Sequence, residues 1–246
     1  MDISINGARI LFIIPIFGGI TVTETQVNSV LVLILVFALC KFLTHDMRVR
    51  DISKRQIIAE YIVTKVQSLV EANMGGKFMN FTPFIITILA ASVFSSFISL
   101  IGLYPPTADL NTLIGWSLAV FVLITAQKMK TGFFRYLRGF TQPYAVLTPF
   151  NIISEVSTPV SMAFRHFGNT TSGVVISTML YAALAVLSNL LLGWLPGALG
   201  SIPLLQVGLP AVFSIYFDLF SGCLQAFLCA MLTMLYIATA DPTAEQ

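Results

Sequence analysis

Chemistry in this chain would begin at Arg165. It stands in the run SMAFRHFGNTTSG; the nearest carboxylates in sequence are Glu155 and Asp218, and no residue from Phe167 to Phe217 is formally charged. Holding a permanent cation at the centre of a bilayer costs roughly 2.5–3.5 kcal/mol or more, so such a residue faces a bundle interior or a wet cavity and marks an ion or substrate path. On a helix, residues four apart share a face. Ser161, Arg165 and Asn169 therefore align, with Gly168 and Ser172 beside them. A second stripe runs through Asp218, Gly222, Gln225 and Cys229, with Tyr236 further along. Each stripe carries one ionisable group, and antiparallel packing of the two helices would bring Asp218 close to the arginine-bearing helix.

Every one of these residues has a plainer use. Arg165 and Asp218 could form a structural ion pair. Gln225 and Asn169 could bond neighbouring helices, His166 could fill a packing interface, and Glu155 could sit solvated near a membrane boundary. Asp109, before an apolar run, reads as a helix cap or as an acid at an aqueous entrance. Other chemistry is missing. GGKF at Gly75–Phe78 lacks the first glycine and the Ser/Thr of a phosphate-binding loop. His45 and His166 have no Cys or His partners at metal-ligand spacing. The Asn169-Thr170-Thr171 sequon lies at membrane depth. Nothing suggests hydrolytic or covalent catalysis, a cofactor or a metal.

The elements that must position these residues follow from composition. Of 246 residues, 57% are hydrophobic and 10% charged, and the mean hydropathy is +0.88. A soluble domain carries about 25% charged residues, so this chain belongs in a bilayer, as helices of roughly 17–25 apolar residues rather than barrel strands. The net charge of +2 is not gathered on a soluble face and gives no sign of nucleic-acid binding. Cys40, Cys223 and Cys229 lie in apolar runs and read as small hydrophobes.

The chain reads as a single membrane domain over 1–246. An N-terminal segment (1–21) precedes a first span over 22–43. A charged segment over 45–80 carries an apolar stripe from Ile52 to Val70, either an amphipathic surface helix or a solvated connector. Spans follow over 81–103 and 110–127, separated by YPPTADLN, whose paired prolines stop a helix. Long apolar runs cover 144–195 and 203–240. The first would be about 75 Å long as a helix against a core of about 30 Å, so it is two spans or one strongly tilted helix, with Pro159 and Gly168 as bend points. Seven of the thirteen Lys and Arg lie between Lys41 and Lys77 and four more between Lys128 and Arg138. Those segments face the cytoplasm, and the N-terminus lies outside. With one traverse over 144–195 there are five crossings and the C-terminus is cytoplasmic.

Four motifs, in this order and spacing, resemble subunit a of the bacterial F-type ATP synthase: ITVTETQVNSV, YPPTADLN, PVSMAFRHFGNTTSG and LQAFLCAMLTMLYI. The resemblance covers nearly the whole chain. It implies an all-α membrane protein whose last two helices form a long, tilted hairpin, acting as a non-catalytic stator in the bacterial plasma membrane. Its partners would be a ring of c subunits, each with a mid-membrane carboxyl group, the b subunits of the peripheral stalk, and the bilayer. Protons would enter by one aqueous half-channel, ride the ring and leave by another. Arg165 would separate the two, with Asn169 and Gln225 near it and Asp109 in the PTADLN loop. Ser161, Ser172, Glu155, His166 and Tyr236 are further candidates for the lining. Some relatives carry a glutamate nine residues after the arginine and a histidine seven before the glutamine. Here those positions hold Val174 and Asp218, so Asp218 is expected to serve as the protonatable group. The competing reading is a stand-alone ion-coupled transporter with Arg165 as its substrate or ion site.

Overall fold

The computed structural model describes residues 8–15, 20–50, 52–130, 132–141, 144–192 and 215–240. Those residues are predominantly helical, and among them five helices are long and apolar enough to cross a membrane: Glu24–Leu43, Gly76–Leu100, Leu110–Met129, Thr148–Leu190 and Leu219–Thr239.

A small hairpin comes first. Strand β1 (Ile10–Ile14) pairs antiparallel with β2 (Ile20–Thr23), and the register shifts between Ile10 and Phe12. Helix α1 (Glu24–Leu43) buries only Thr25, Asn28 and Val32, all in its first half. The rest of α1 presents Leu33, Ile34, Phe37, Leu39 and Phe42 outwards, a surface only lipid or another apolar partner can cover.

Helix α2 (Lys54–Met74) is capped by Ser53, whose hydroxyl accepts from the Gln56 N–H. Its apolar stripe is divided. Val66, Leu69 and Val70 pack into the core, whereas Ile57, Ile58, Tyr61 and Ile62 stay exposed. Near its start, the Arg55 guanidinium lies over the Phe42 ring at the end of α1, 4.6 Å from its centroid. The segment charted as 45–80 is thus a helix followed, after Gly75 (φ 85°), by a 3-10 turn (Gly76–Phe81). That turn runs straight into α3 (Thr82–Leu100), whose second residue is Pro83, in the first turn where a missing N–H costs little.

After the Pro105–Pro106 break and a short 3-10 turn come α4 (Leu110–Met129) and a seven-residue α5 (Phe133–Gly139). Then α6 runs unbroken over Thr148–Leu192, 45 residues, with Pro159 inside it. A π-helical segment (Ile215–Ser221) leads into α7 (Gly222–Thr239). The part of the expected 203–240 helix before residue 215 lies outside the described residues.

The apolar core gathers Val70, Met74 and Phe78 with Ile85, Val120, Ile124 and Met162 against Cys229, Ala230, Met234 and Ile237 of α7. Helix α7 packs chiefly on α3, where small side chains allow close approach. A Cβ added to Gly222 would stand 2.6 Å from Cβ and 2.7 Å from Oγ of Ser96.

Candidate functional site

Arg165 owes its setting to the helical period. Met162, Ala163 and His166 face inwards and are buried, so the residues between and beside them face out. Arg165 is exposed, as are Ser161, Gly168, Asn169 and Ser172. A Cβ on Gly168 would meet nothing within 4 Å. Among the described residues, no ion pair or hydrogen bond reaches the Arg165 guanidinium. The stripe on α6 is therefore an open polar face in an apolar helix, flanked by exposed Val160 and Phe164.

The stripe on α7 turns the other way. Gly222, Gln225 and Cys229 are buried within the chain, because the serine face of α3 draws the small-residue side of α7 against itself. What looks outwards from α7 is apolar: Leu224, Phe227, Leu228 and Leu235. Gln225 is 6% exposed, and no hydrogen bond to another described residue holds its amide. Tyr236 is half-buried against the core. The backbone of Asp218 lies in the π-helical segment; its side chain lies outside the described residues.

The stripes meet at one point. The Ser221 hydroxyl donates to Asn169 Oδ1 at 3.1 Å. Beside this bond lies a cavity of ≈ 20 Å³, lined by Ser96, Ser99, Asn169, Thr170, Val174 and Gly222 among others, a volume that admits about one water. The Ser99 hydroxyl is buried there without a partner among the described residues.

Asp109 caps α4, its Oδ1 accepting from the Asn111 N–H at 3.0 Å. It also does what no cap requires: Oδ2 accepts from the hydroxyl of fully buried Thr25 at 2.6 Å. Asn28 donates to the Tyr104 carbonyl at 2.8 Å, so two bonds tie α1 to the turn before α4. Burial pushes the Tyr104 phenol pKa up, and the carboxylates of Asp109 and Glu24 push it further.

Glu155 is not merely solvated. Both its oxygens accept from Lys128 Nζ at 2.7 Å, and its side chain is only 18% exposed. Here α4 and α6 are pinned together next to Tyr136 of α5. Burial first, and the Glu155 charge second, raise that phenol's pKa.

Two partners were hidden from sequence reasoning. His166 is 2% exposed; its Nε2 lies 3.3 Å from the Ser92 hydroxyl, and its ring meets Trp116 edge-on with centroids 6.3 Å apart. Ser92 is 74 residues away along the chain, and only the spacing of Ser92, Ser95, Ser96 and Ser99 on one side of α3 hinted at a polar surface there. Among the described residues, no three His, Cys, Asp or Glu side chains converge on a metal position.

Residues 26–238 match the family described as ATP synthase A chain. The chain is 36% identical over 145 residues to the sodium ion specific ATP synthase subunit a of Propionigenium modestum, a match covering 58% of this chain and 43% of that relative. It is 30% identical over 228 residues to ATP synthase subunit a of Acidothermus cellulolyticus, covering 89% and 77%. With ATP synthase subunit a 1 of Prosthecochloris aestuarii it shares 29% over 236 residues, covering 94% and 95%. An exposed cation on a membrane helix, five spanning helices and a match of this extent lead to one conclusion: the chain belongs to the ATP synthase A chain family, the multi-pass, non-catalytic, ion-translocating subunits of the F-type ATP synthase membrane sector.

Proposed function

We propose that this chain is the stator of a proton-driven rotary motor, with Arg165 as the fixed charge that each passing carboxylate of a c-subunit ring must meet. The observation that carries this reading is the guanidinium itself, exposed on a membrane-spanning helix and unpaired among the described residues. A cation left bare in an apolar setting is costly, and an anion presented by a neighbour would offset that cost.

A guanidinium keeps its charge throughout the physiological range. A ring carboxylate ~4 Å from it is favoured as the anion by about 4 kcal/mol at an effective dielectric of 20, roughly a thousandfold towards deprotonation. A carboxylate arriving at Arg165 thus gives up its proton, whereas a neutral one feels no such hold and leaves into lipid more cheaply. Each charge crossing the membrane supplies about 2.3 kcal/mol per 100 mV, and the ring turns because loading and unloading occur on opposite sides of Arg165.

In this scheme two aqueous half-channels reach that point from opposite faces. The small cavity beside Asn169 and Ser99 belongs to one of them, with Asp109 nearer its mouth, Asp218 as its protonatable group and Gln225 near the arginine. Ser161, Ser172 and Tyr236 supply further polar lining. Glu155, held by Lys128, belongs to the other end of α6 and orders its entrance. The basic segments around α2 and α5 face the cytoplasm of a bacterial cell, the N-terminus lies outside and the C-terminus inside, and the b subunits of the peripheral stalk hold the chain against rotation.

The test uses the whole ATP synthase in sealed vesicles, with pumping followed by a pH-sensitive dye in sodium-free medium. Arg165→Ala is expected to abolish ATP synthesis and ATP-driven proton uptake while the subunit stays in the complex. Asp218→Asn is expected to slow both. Full-rate pumping by Arg165→Ala would end the proposal.

A further inference from the structure

Among the described residues, His166 is the one buried ionisable group on the inward face of α6, and the scheme above gives it no proton to carry. Its surroundings ask for an explanation. Nε2 meets the Ser92 hydroxyl at 3.3 Å, the ring edge meets Trp116, and Nδ1 is buried with no partner among the described residues. A buried polar atom without a partner costs on the order of 1–3 kcal/mol. A leucine would fill the same space without that cost. Packing alone therefore does not account for a histidine here.

What the histidine adds is direction. Its neighbours on the inward face, Met162 and Ala163, are apolar, and apolar contact does not fix orientation. Within a bilayer, helix pairs gain little from apolar burial and rely on packing and interhelical hydrogen bonds. Among the described residues, the turn that carries Arg165 meets α3 through a polar contact with Ser92 and α4 through an edge-on ring contact with Trp116, both made by His166. Successive residues differ by about 100° around a helix. Setting the direction of His166 thereby sets that of Arg165, one residue before it.

We propose that His166 is a positioning residue: clamped between Ser92 and Trp116, it fixes the rotation of α6 about its axis so that Arg165 stays on the outward face. This rests on the role given to Arg165 above. Where that cation must face a moving carboxylate, a misplacement of about 1 Å is enough to cost up to roughly a hundredfold in rate.

The test again uses the complete synthase in vesicles. His166→Leu keeps size and removes direction; ATP synthesis is expected to fall between about tenfold and a hundredfold, with fewer protons pumped per ATP hydrolysed, while the subunit remains at its normal level. His166→Gln keeps a hydrogen-bonding group near the position of Nε2 and is expected to restore most of the coupling, which a role in packing alone would not predict. Ser92→Ala should give part of the loss, and the His166→Leu/Ser92→Ala pair no more than His166→Leu alone. Normal coupling in His166→Leu, or equal impairment by Leu and Gln, overturns the proposal. Should His166→Leu fail to assemble, Ser92→Ala decides: unchanged coupling in that variant overturns it as well. Arg165→Ala run alongside separates the two ideas, since an inactive Arg165→Ala beside a normal His166→Leu removes only the positioning role.

Discussion

A half-buried phenol near two carboxylates has a predictable response to alkali. Tyr104 is harder to ionise in the folded chain than when unfolded, because burial and the charges of Asp109 and Glu24 disfavour its anion. A pKa raised on folding contributes stability that is complete below the ordinary tyrosine value, about 10, and is lost as pH climbs through the raised value. Tyr104→Phe keeps the ring and removes the ionisation. Its melting temperature, followed against pH, should hold up better than that of the natural chain above about pH 10, with no difference at neutral pH. Equal alkaline decline in the two proteins would show that Tyr104 titrates freely. At the same scale Asp109 illustrates the reach of sequence reasoning. Its capping role is readable from position, whereas its bond to Thr25 joins residues 84 apart and depends on the fold.

Among the elements, the contact of α3 with α7 is the most sensitive to volume. Gly222 leaves no room for a methyl group against Ser96, and overpacking of this kind costs typically 1–3 kcal/mol. Gly222→Ala should lower the thermal stability of the purified complex accordingly, and Ser96→Gly in the same chain should recover much of it. A stable Gly222→Ala, or failure of Ser96→Gly to help, would mean that the two helices sit farther apart. This contact also explains which helix faces were legible. Both polar stripes follow from i, i+4 spacing, but spacing does not say which neighbour takes a stripe. Among the described residues, the row on α6 stays exposed apart from the Ser221–Asn169 bond, whereas the Gly222 end of the row on α7 packs on Ser96 of α3. The helices themselves were written in apolar runs bounded by charges, prolines and caps. The hairpin at Ile10–Ile14 and Ile20–Thr23 was not, because so short an apolar run has no period of its own. Nor was the π-helical segment Ile215–Ser221 ahead of α7, which no residue pattern marks.

For the molecule as a whole, polar ties sit at separate places on an apolar framework. Thr25–Asp109 and Asn28–Tyr104 join α1 to the turn before α4, Ser92–His166 joins α3 to α6, and Lys128–Glu155 joins α4 to α6. Helix α1 has few other buried contacts, so the first tie matters most to it. A hydrogen bond to a charged group contributes about 1.5–3 kcal/mol. Thr25→Val should therefore loosen α1 more than any other span, seen as faster hydrogen exchange over Glu24–Leu43 in detergent. Unchanged exchange there would mean that lipid-facing packing alone retains the helix.

The outward sides of α6 and α7 hold a further consequence. Apart from the single polar row on α6, they offer Ile152, Val156, Val160 and Phe164, then Leu224, Phe227 and Leu235, none of which can donate or accept a hydrogen bond. Anything sliding across such a wall breaks no directional bond from one increment to the next. Directional footholds are confined, among the described residues, to the polar row of α6 where the guanidinium stands beside Ser161, Asn169 and Ser172.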